Sequence, residues 1–264
     1  MKALITGASS GIGKDIACIL SNLGYDLIVV ARRKNILDEL KKKVKTNVLV
    51  IPLDLSEEDN LETLWNAVKD EDIDILVNNA GFGLFGEFDK TDLDIEFKMI
   101  DVNIKAVHFL TKKFLIKFKE KNSGHILNVA SSAGFMAGPK LSTYYATKNY
   151  VLRLTEAIYE ELKVDKSNVK ISCLCPGPVD TEFNKVAHGE FHTSSLSSEY
   201  VAKYAVKKMF KNKLYIIPSL KMNVAVFLSR LAPRKILLKI TYKIQASKSR
   251  VSRRFYVMDF FLSV

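Results

Sequence analysis

Seven short apolar runs, at 2–6, 25–31, 47–53, 73–78, 124–129, 169–175 and 214–217, recur along this chain. Several are continuous rather than alternating, the mark of strands in a parallel sheet covered on both faces. Helical patterns fill the intervals, at roughly 11–23, 34–45, 57–69, 92–120, 142–163 and 198–211. The first of these sets Ile16, Ala17, Ile19, Leu20 and Leu23 on one side. Strands alternating with helices predict one doubly wound α/β domain of about seven parallel strands, with helices on both faces, right-handed crossovers and a ligand cleft at the strands' carboxyl ends. No repeat or low-complexity linker interrupts the pattern, which places this domain at residues 1–220.

Past 220 the pattern changes. Val224, Val226, Phe227, Leu228, Leu231, Ile236, Leu237, Leu238 and Ile240 are interrupted by Arg230, Pro233 and Arg234, and no run is long enough to span a bilayer. Residues 221–264 hold Lys221, Arg230, Arg234, Lys235, Lys239, Lys243, Lys248, Arg250, Arg253 and Arg254 against one acid, Asp259, so most of the formal charge of +11 lies there. This basic amphipathic extension leaves three roles open: packing on its own cleft or a neighbouring subunit, lying on an anionic membrane surface, or forming an unstructured tail. No nucleic-acid recognition motif accompanies the charge, so no nucleic-acid partner is expected.

A chain of 264 residues can bury a substantial core as one enzyme-sized domain. Cys18, Cys173 and Cys175 lack a metal-ligand pattern and fall in predicted helix and strand. They read as reduced core residues of a cytoplasmic protein, with no metal expected. No charged-then-apolar leader precedes the first strand, so a secretory signal is not expected either.

The chemistry begins at the first strand. Residues 2–5 run into Thr6-Gly7-Ala8-Ser9-Ser10-Gly11-Ile12-Gly13, after which a helix starts. Glycines permit positive φ and let backbone amides approach a pyrophosphate, whose charge the helix N-terminus favours. The spacing is Gly-x-x-x-Gly-x-Gly, not the common Gly-x-Gly-x-x-Gly. At the end of the second strand stand Arg32 and Arg33 with no acid beside them. An acid there would bond an adenosine ribose hydroxyl, whereas arginine accommodates a 2′-phosphate, so NADP(H) is favoured and NAD(H) stays open. The alternative is that the pair simply solvates the start of the next helix. Lys14 adds positive charge near the phosphates or merely sits on the helix surface.

Tyr144 and Lys148 are four residues apart in a helical pattern and so share one face, one turn apart. An ammonium in a partly dry site stabilises a phenolate, which makes the tyrosine a general acid or base at ordinary pH. Ser131 follows the apolar run Ile126-Leu127-Asn128-Val129-Ala130, at the carboxyl end of a buried strand where its hydroxyl can bond the same substrate oxygen. Ser132 competes for that role by adjacency. Tyr145 has no lysine four residues on and reads as a packing residue.

Taken together these motifs closely resemble the short-chain dehydrogenase/reductases, and the resemblance runs from residue 2 to about residue 218. The glycine-rich turn matches that family's cofactor loop, implying contacts from Gly7, Ser9, Ser10, Gly11, Ile12 and Gly13. Asp54-Leu55-Ser56 resembles the acidic segment after the third strand, which implies that Asp54 faces the adenine edge; otherwise Asp54 caps the helix beginning near Glu57. Asn78-Asn79-Ala80-Gly81 resembles the motif closing the fourth strand, and Asn103, Ser131, Tyr144 and Lys148 match the family's catalytic tetrad. The family's serine-to-tyrosine spacing, with Gly134 three residues after the serine, favours Ser131 over Ser132. Pro176-Gly177, with Val179 and Thr181, resembles the segment that packs on the nicotinamide. A Rossmann-type fold and hydride exchange on a CH–OH or C=O group are what the resemblance implies.

Phe82, Leu84, Phe85, Phe135, Met136 and Pro139 suggest an apolar pocket wall for a small carbonyl or alcohol substrate, although each is as readily core packing. Residues 179–197, with Phe183, His188, Phe191 and His192, occupy the place of the family's variable substrate lid. The expectation is an NADP(H)-dependent oxidoreductase, homo-oligomeric and cytoplasmic, with membrane-surface attachment through 221–264 left open. A non-catalytic nucleotide-binding regulatory or scaffold protein on the same fold is the alternative, and the complete tetrad argues against it.

Overall fold

A computed structural model describes residues 1–183 and 195–246. Strand β1 (Lys2–Thr6) leads into helix α1 (Gly11–Asn22), followed by β2 (Asp26–Ala31), α2 (Lys34–Lys43), β3 (Val48–Pro52) and α3 (Glu58–Val68). The second half runs β4 (Ile75–Asn78), α4 (Leu93–Ile100), α5 (Val107–Lys121), β5 (His125–Val129), α6 (Ser142–Val164) and β6 (Lys170–Leu174). Two-residue strands β7 (Val179–Asp180) and β8 (Leu196–Ser197) pair with each other, and α7 (Ser198–Met209), β9 (Tyr215–Ile216) and α8 (Leu220–Leu231) follow. Residues 234–246 form a further helical stretch.

The seven expected strands form one sheet in the order β3-β2-β1-β4-β5-β6-β9, every pair parallel. Side chains of β1 divide the core between two faces. Ala3 and Ile5 point toward α1, α2 and α7, meeting Ile16, Leu20, Leu37, Val201 and Ala205. Leu4 points the other way, into a layer built from α3, α5 and α6 with Leu64, Phe114, Phe118 and Ile158. The chain winds outward from β1 in both directions, so β1 and β4 flank the switch point where a doubly wound sheet opens its cleft.

The single helix expected at 92–120 is interrupted. Between α4 and α5, residues Asp101–Ala106 take the wider π pitch. Here Asn103 is fully buried. Its Nδ2 donates to the Phe82 carbonyl at 2.9 Å and the Thr147 hydroxyl at 3.0 Å, while its Oδ1 accepts from the Phe82 amide at 3.1 Å. A π bulge adds a residue to one turn and re-aims a side chain, a backbone event with no signature in apolar spacing.

Beyond 220 the described part of the basic extension is helical, not a tail. Its two helical pieces are split by Pro233, which lacks the amide a continuous helix needs, and Ala232 before it is extended at ψ 136°. Val226 is buried with Val107, Val151 and Leu152, so α8 belongs to the core by one face. Lys248, Arg250, Arg253 and Arg254 lie outside the described residues.

One histidine makes the fold pH-sensitive. His125 opens β5, is buried, and lies 2.9 Å through Nε2 from the Ser172 hydroxyl of β6. Burial pushes its pKa down to about 4, with Lys170 adding to the shift. A histidine whose folded value lies below the unfolded one contributes stability that is whole above about 6.5 and is lost as pH falls toward 4, some 3 kcal/mol in all. The thermal midpoint of His125→Gln should therefore fall less steeply than wild type between these limits. Parallel curves would show that His125 is not the titrating group.

Candidate active site

Threonine at the end of β1 organises the nucleotide end of the cleft. The Thr6 hydroxyl accepts from the backbone amides of Asn79 and Ala80, each at 3.0 Å, which ties β1 to the carboxyl end of β4. Asn79 returns the link, its Nδ2 donating to the carbonyls of Thr6 at 3.0 Å and Gly7 at 3.1 Å. The glycine loop is thus bound to the neighbouring strand. Gly7 and Gly11 take φ of +66° and +52°, and a Cβ on Gly13 would stand 2.2 Å from Asn79 Nδ2 and 2.6 Å from the Gly7 carbonyl. Only glycine satisfies these positions, because positive φ strains a side chain at two of them and close helix–strand contact leaves no room at the third.

This loop borders a cavity of about 510 Å³ that runs across the carboxyl ends of the strands. Ser9, Ser10, Gly11 and Ile12 form one end, with Arg32 and Arg33 above them and Asp54 and Leu55 beside them. Arg33 Nη2 donates to the Ser9 hydroxyl at 3.1 Å and pairs with Glu182 at 2.8 Å, whereas Arg32 Nη1 lies 3.7 Å from Asp54. Asp54 does not cap α3. Its Oδ1 accepts from the amide and hydroxyl of Ser56 at 3.0 and 2.9 Å, and the residue before α3 is Glu57, whose side chain makes no cap bond.

The far end of the cavity is the catalytic candidate. Ser131, Tyr144 and Lys148 all border it, from the end of β5 and from α6. Lys148 is buried and its Nζ donates to the Val129 carbonyl at 2.9 Å. Its ammonium stands 5.8 Å from the centre of the Tyr144 ring. Burial pushes Tyr144 up to about 12, opposed by a side-chain hydrogen bond with Ser131, and burial pulls Lys148 down to about 8. The sequence argument expected the ammonium to draw the phenol toward neutrality. In this structure dryness outweighs it: burial shifts both groups toward their neutral forms, leaving Tyr144 a phenol and Lys148 an ammonium that is lost only above about 8.

Asn103 and Gly13 lie behind the cavity wall rather than on it. Asn103 fixes the Phe82 backbone and Thr147, the residue before Lys148, while Asn79, Ala80, Gly81, Pro176, Gly177, Val179 and Thr181 do border the cavity. A Cβ on Gly81 would come within 2.8 Å of Asn103 Oδ1 and 3.3 Å of Lys148 Nζ, so a side chain there would push into the tetrad.

The expected apolar wall is only partly right. Phe82 borders the cavity, but Leu84, Phe85, Phe135, Met136 and Pro139 do not, and Phe135 instead packs under Arg230 and Tyr215. Phe183 takes their place, its ring 5.2 Å from that of Tyr144, together with Leu141, Tyr145 and Gln245. His188, Phe191 and His192 lie outside the described residues. Tyr145 does pack, with Gly138 tight against its ring, yet its hydroxyl also accepts from Gln245 Nε2 at 2.6 Å. Sequence reasoning missed Thr6, Glu182 and Gln245. Thr6 stood in the quoted motif, whereas Gln245 is a hundred residues from its partner and left no local sign.

Comparison with known proteins agrees with this geometry. A sequence model described as short chain dehydrogenase matches residues 1–190. An uncharacterized oxidoreductase of Staphylococcus epidermidis is 37% identical over 183 residues, 68% of this chain and 78% of that one. A short-chain dehydrogenase from Sphingobium yanoikuyae in complex with NADPH superposes with a TM-score of 0.78 at 28% identity, covering 83% of this chain and 88% of that one. The bulky-bulky ketone specific alcohol dehydrogenase from Comamonas testosteroni gives a TM-score of 0.75 at 26% identity, covering 87% and 92%. The chain belongs to the short-chain dehydrogenase family and is an oxidoreductase of that family.

The glycine cradle gives a direct test of the nucleotide end. Gly13→Ala should lower stability by about 1–3 kcal/mol through overpacking and weaken nucleotide binding by displacing Asn79. Unchanged affinity, measured calorimetrically, would mean that the loop tolerates the methyl group and that the contact with Asn79 does not shape it.

Proposed function

We propose that this short-chain dehydrogenase exchanges a hydride between NADP(H) and a small, apolar carbonyl or alcohol substrate, with Tyr144 moving the proton. The observation that carries this reading is the convergence of Ser131, Tyr144 and Lys148 on one wall of the cavity whose other end is the glycine loop. The cradle fits a dinucleotide: Gly7, Gly11 and Gly13 leave backbone where side chains would collide, and α1 begins there. When bound, the nicotinamide supplies or accepts the hydride.

The protein's own part is proton handling. A phenol held at about 12 is a neutral donor at ordinary pH, so Tyr144 Oη is ready to protonate a developing alkoxide. Ser131 bonds that hydroxyl and can donate to the same substrate oxygen, which fixes the oxygen between two groups. As the phenol loses its proton, the Lys148 ammonium one turn away stabilises the phenolate, and the Val129 carbonyl keeps the ammonium in place. Asn103 acts through others by holding the Phe82 backbone and Thr147. Phe183 and Phe82 add apolar surface to the cavity, consistent with an apolar substrate.

For the cofactor, Arg32 and Arg33 offer two guanidinium groups at the cavity edge where an acid would favour a free ribose hydroxyl. Asp54 and Glu182 already face them, so an incoming 2′-phosphate competes with carboxylates for these forks.

Tyr144→Phe should abolish carbonyl reduction while leaving nucleotide affinity within a few-fold, since the ring stays and only the proton goes. An active variant would sink the proton-donor assignment. Because Lys148 titrates near 8, the rate of reduction should fall as pH rises through that value, where the ammonium that stabilises the phenolate is lost. A flat profile in kcat/KM would contradict the coupling. Replacing Arg32 and Arg33 together by alanine should weaken NADPH binding by roughly tenfold or more while sparing NADH. Equal losses, or a wild-type preference for NADH, would refute the NADP(H) reading.

A further inference from the structure

Helix α8 is apolar on two opposite faces. Met222 and Val226 face inward, and a Cβ on Gly177 would meet Met222 Cε at 2.7 Å, so this helix rests directly on the segment that borders the cavity. Asn223 fastens the same side, its Nδ2 donating to the carbonyls of Ile217 at 3.1 Å and Ser219 at 2.9 Å. On the outer side Leu220, Val224, Phe227, Leu228 and Leu231 are between 52% and 82% exposed. Their spacing of four, three, one and three residues sets them in one stripe about 100° wide.

In the stretch 234–246 the buried side is polar. Thr241 and Gln245 are buried, and Gln245 borders the cavity and bonds Tyr145. Ile236, Ile240 and Ile244, four residues apart, share another side and are 47% to 52% exposed, while Leu238 and Tyr242 are exposed beside the buried side. Across residues 220–246 stand six cations, Lys221, Arg230, Arg234, Lys235, Lys239 and Lys243, and no Asp or Glu. A stripe of exposed apolar side chains on a folded domain marks an interaction site.

Charge decides which occupant suits it. A second copy would set this patch against itself, since a two-fold interface is self-complementary, and would oppose six cations to six without one carboxylate between them. An anionic bilayer takes both features at once: aliphatic side chains enter the acyl boundary and lysines and arginines reach the headgroups. No helix among the described residues is long and apolar enough to cross a membrane, which agrees with a surface placement.

We propose that residues 220–246 dock this protein on an anionic lipid surface, with the outer stripe of α8 in the interface. The docking segment also borders the cavity through Gln245, and the substrate class follows from that: a membrane-dissolved, long-chain carbonyl or alcohol. The docking stands on the surface alone, whereas the substrate class rests also on the reductase reading above.

The test is co-sedimentation of the full chain with vesicles of phosphatidylcholine alone and of a two-to-one phosphatidylcholine–phosphatidylglycerol mixture, in parallel with turnover of a water-soluble carbonyl. Wild type should bind the mixed vesicles and not the neutral ones. Phe227→Glu with Leu231→Glu should cut the bound fraction roughly tenfold, and so should Lys235→Glu with Lys239→Glu and Lys243→Glu. Soluble turnover and the far-ultraviolet spectrum should stay at wild-type level in both variants, which shows that they fold. Vesicle binding by neither lipid mixture overturns the proposal, as does a wild-type dimer in sedimentation equilibrium that Phe227→Glu dissociates. Vesicles should raise the rate for a long-chain ketone but not for the soluble one. Binding without that gain removes the substrate class and leaves the docking, and binding without any turnover counts against the reductase reading instead.

Discussion

A buried ammonium is the constraint from which the catalytic end of this molecule is built. Lys148 lies on the inner face of α6 at 5% exposure, where a charge without a partner is costly. The carbonyl of Val129, last residue of β5, provides one acceptor at 2.9 Å. That bond fixes α6 against the end of β5 along the axis, and fixing α6 fixes Tyr144 one turn earlier. Ser131, two residues past Val129, is then brought within hydrogen-bond reach of the Tyr144 hydroxyl. The same low dielectric that makes the placement expensive makes the pair responsive, since each group sits away from its ordinary pKa and any new charge in the cleft acts on both.

Polar groups buried below the site stiffen the platform. Asn78 at the end of β4 donates to Thr111 of α5 at 3.0 Å and to Asn128 of β5 at 2.9 Å, and Asn128 donates to Thr155 of α6 at 3.0 Å. One network thereby joins the two strands that carry the site to the two helices that cover it. Asn103 in the π segment adds a second tie, between the loop after β4 and α6. Buried amides of this kind fix one register, because a shifted strand or helix would leave several donors and acceptors unmatched.

Much of this was legible in the sequence, for a physical reason. Strands such as 25–31 and 124–129 declare themselves because burial on both faces removes polar residues, and glycines near 7–13 do so because backbone geometry admits nothing else. Tyr144 and Lys148 were found because a helix turn converts a separation of four residues into proximity. The misses share the opposite property. Phe183, named only as part of the lid segment, lies at the cavity beside Tyr144, whereas the pocket wall also turned on Gln245, which reaches Tyr145 only through tertiary packing. The π interruption at 101–106 left the apolar pattern intact while changing the pitch. The direction of the Tyr144 shift depended on how dry the cleft is, which spacing does not encode.

The C-terminal helices follow from two demands made on one segment. Their inner side must complete the cavity, and it does so sparingly: Val226 and Met222 on one helix, Thr241 and Gln245 on the next. Gln245 gives its Nε2 to Tyr145 but keeps a buried Oε1 with no hydrogen-bond partner among the described residues. An orphaned acceptor of this kind costs about 1–3 kcal/mol, comparable with what its partner bond returns. The net hold of this amide on the site wall is therefore slight. A helix whose inner anchor contributes little, and whose outer face exposes Ile236, Ile240 and Ile244, gains more from covering that outer face than from its contact with the cleft. Gln245, which borders the cavity, and the exposed Ile244 are neighbours in this helix, so one short segment both lines the cleft and meets its surroundings.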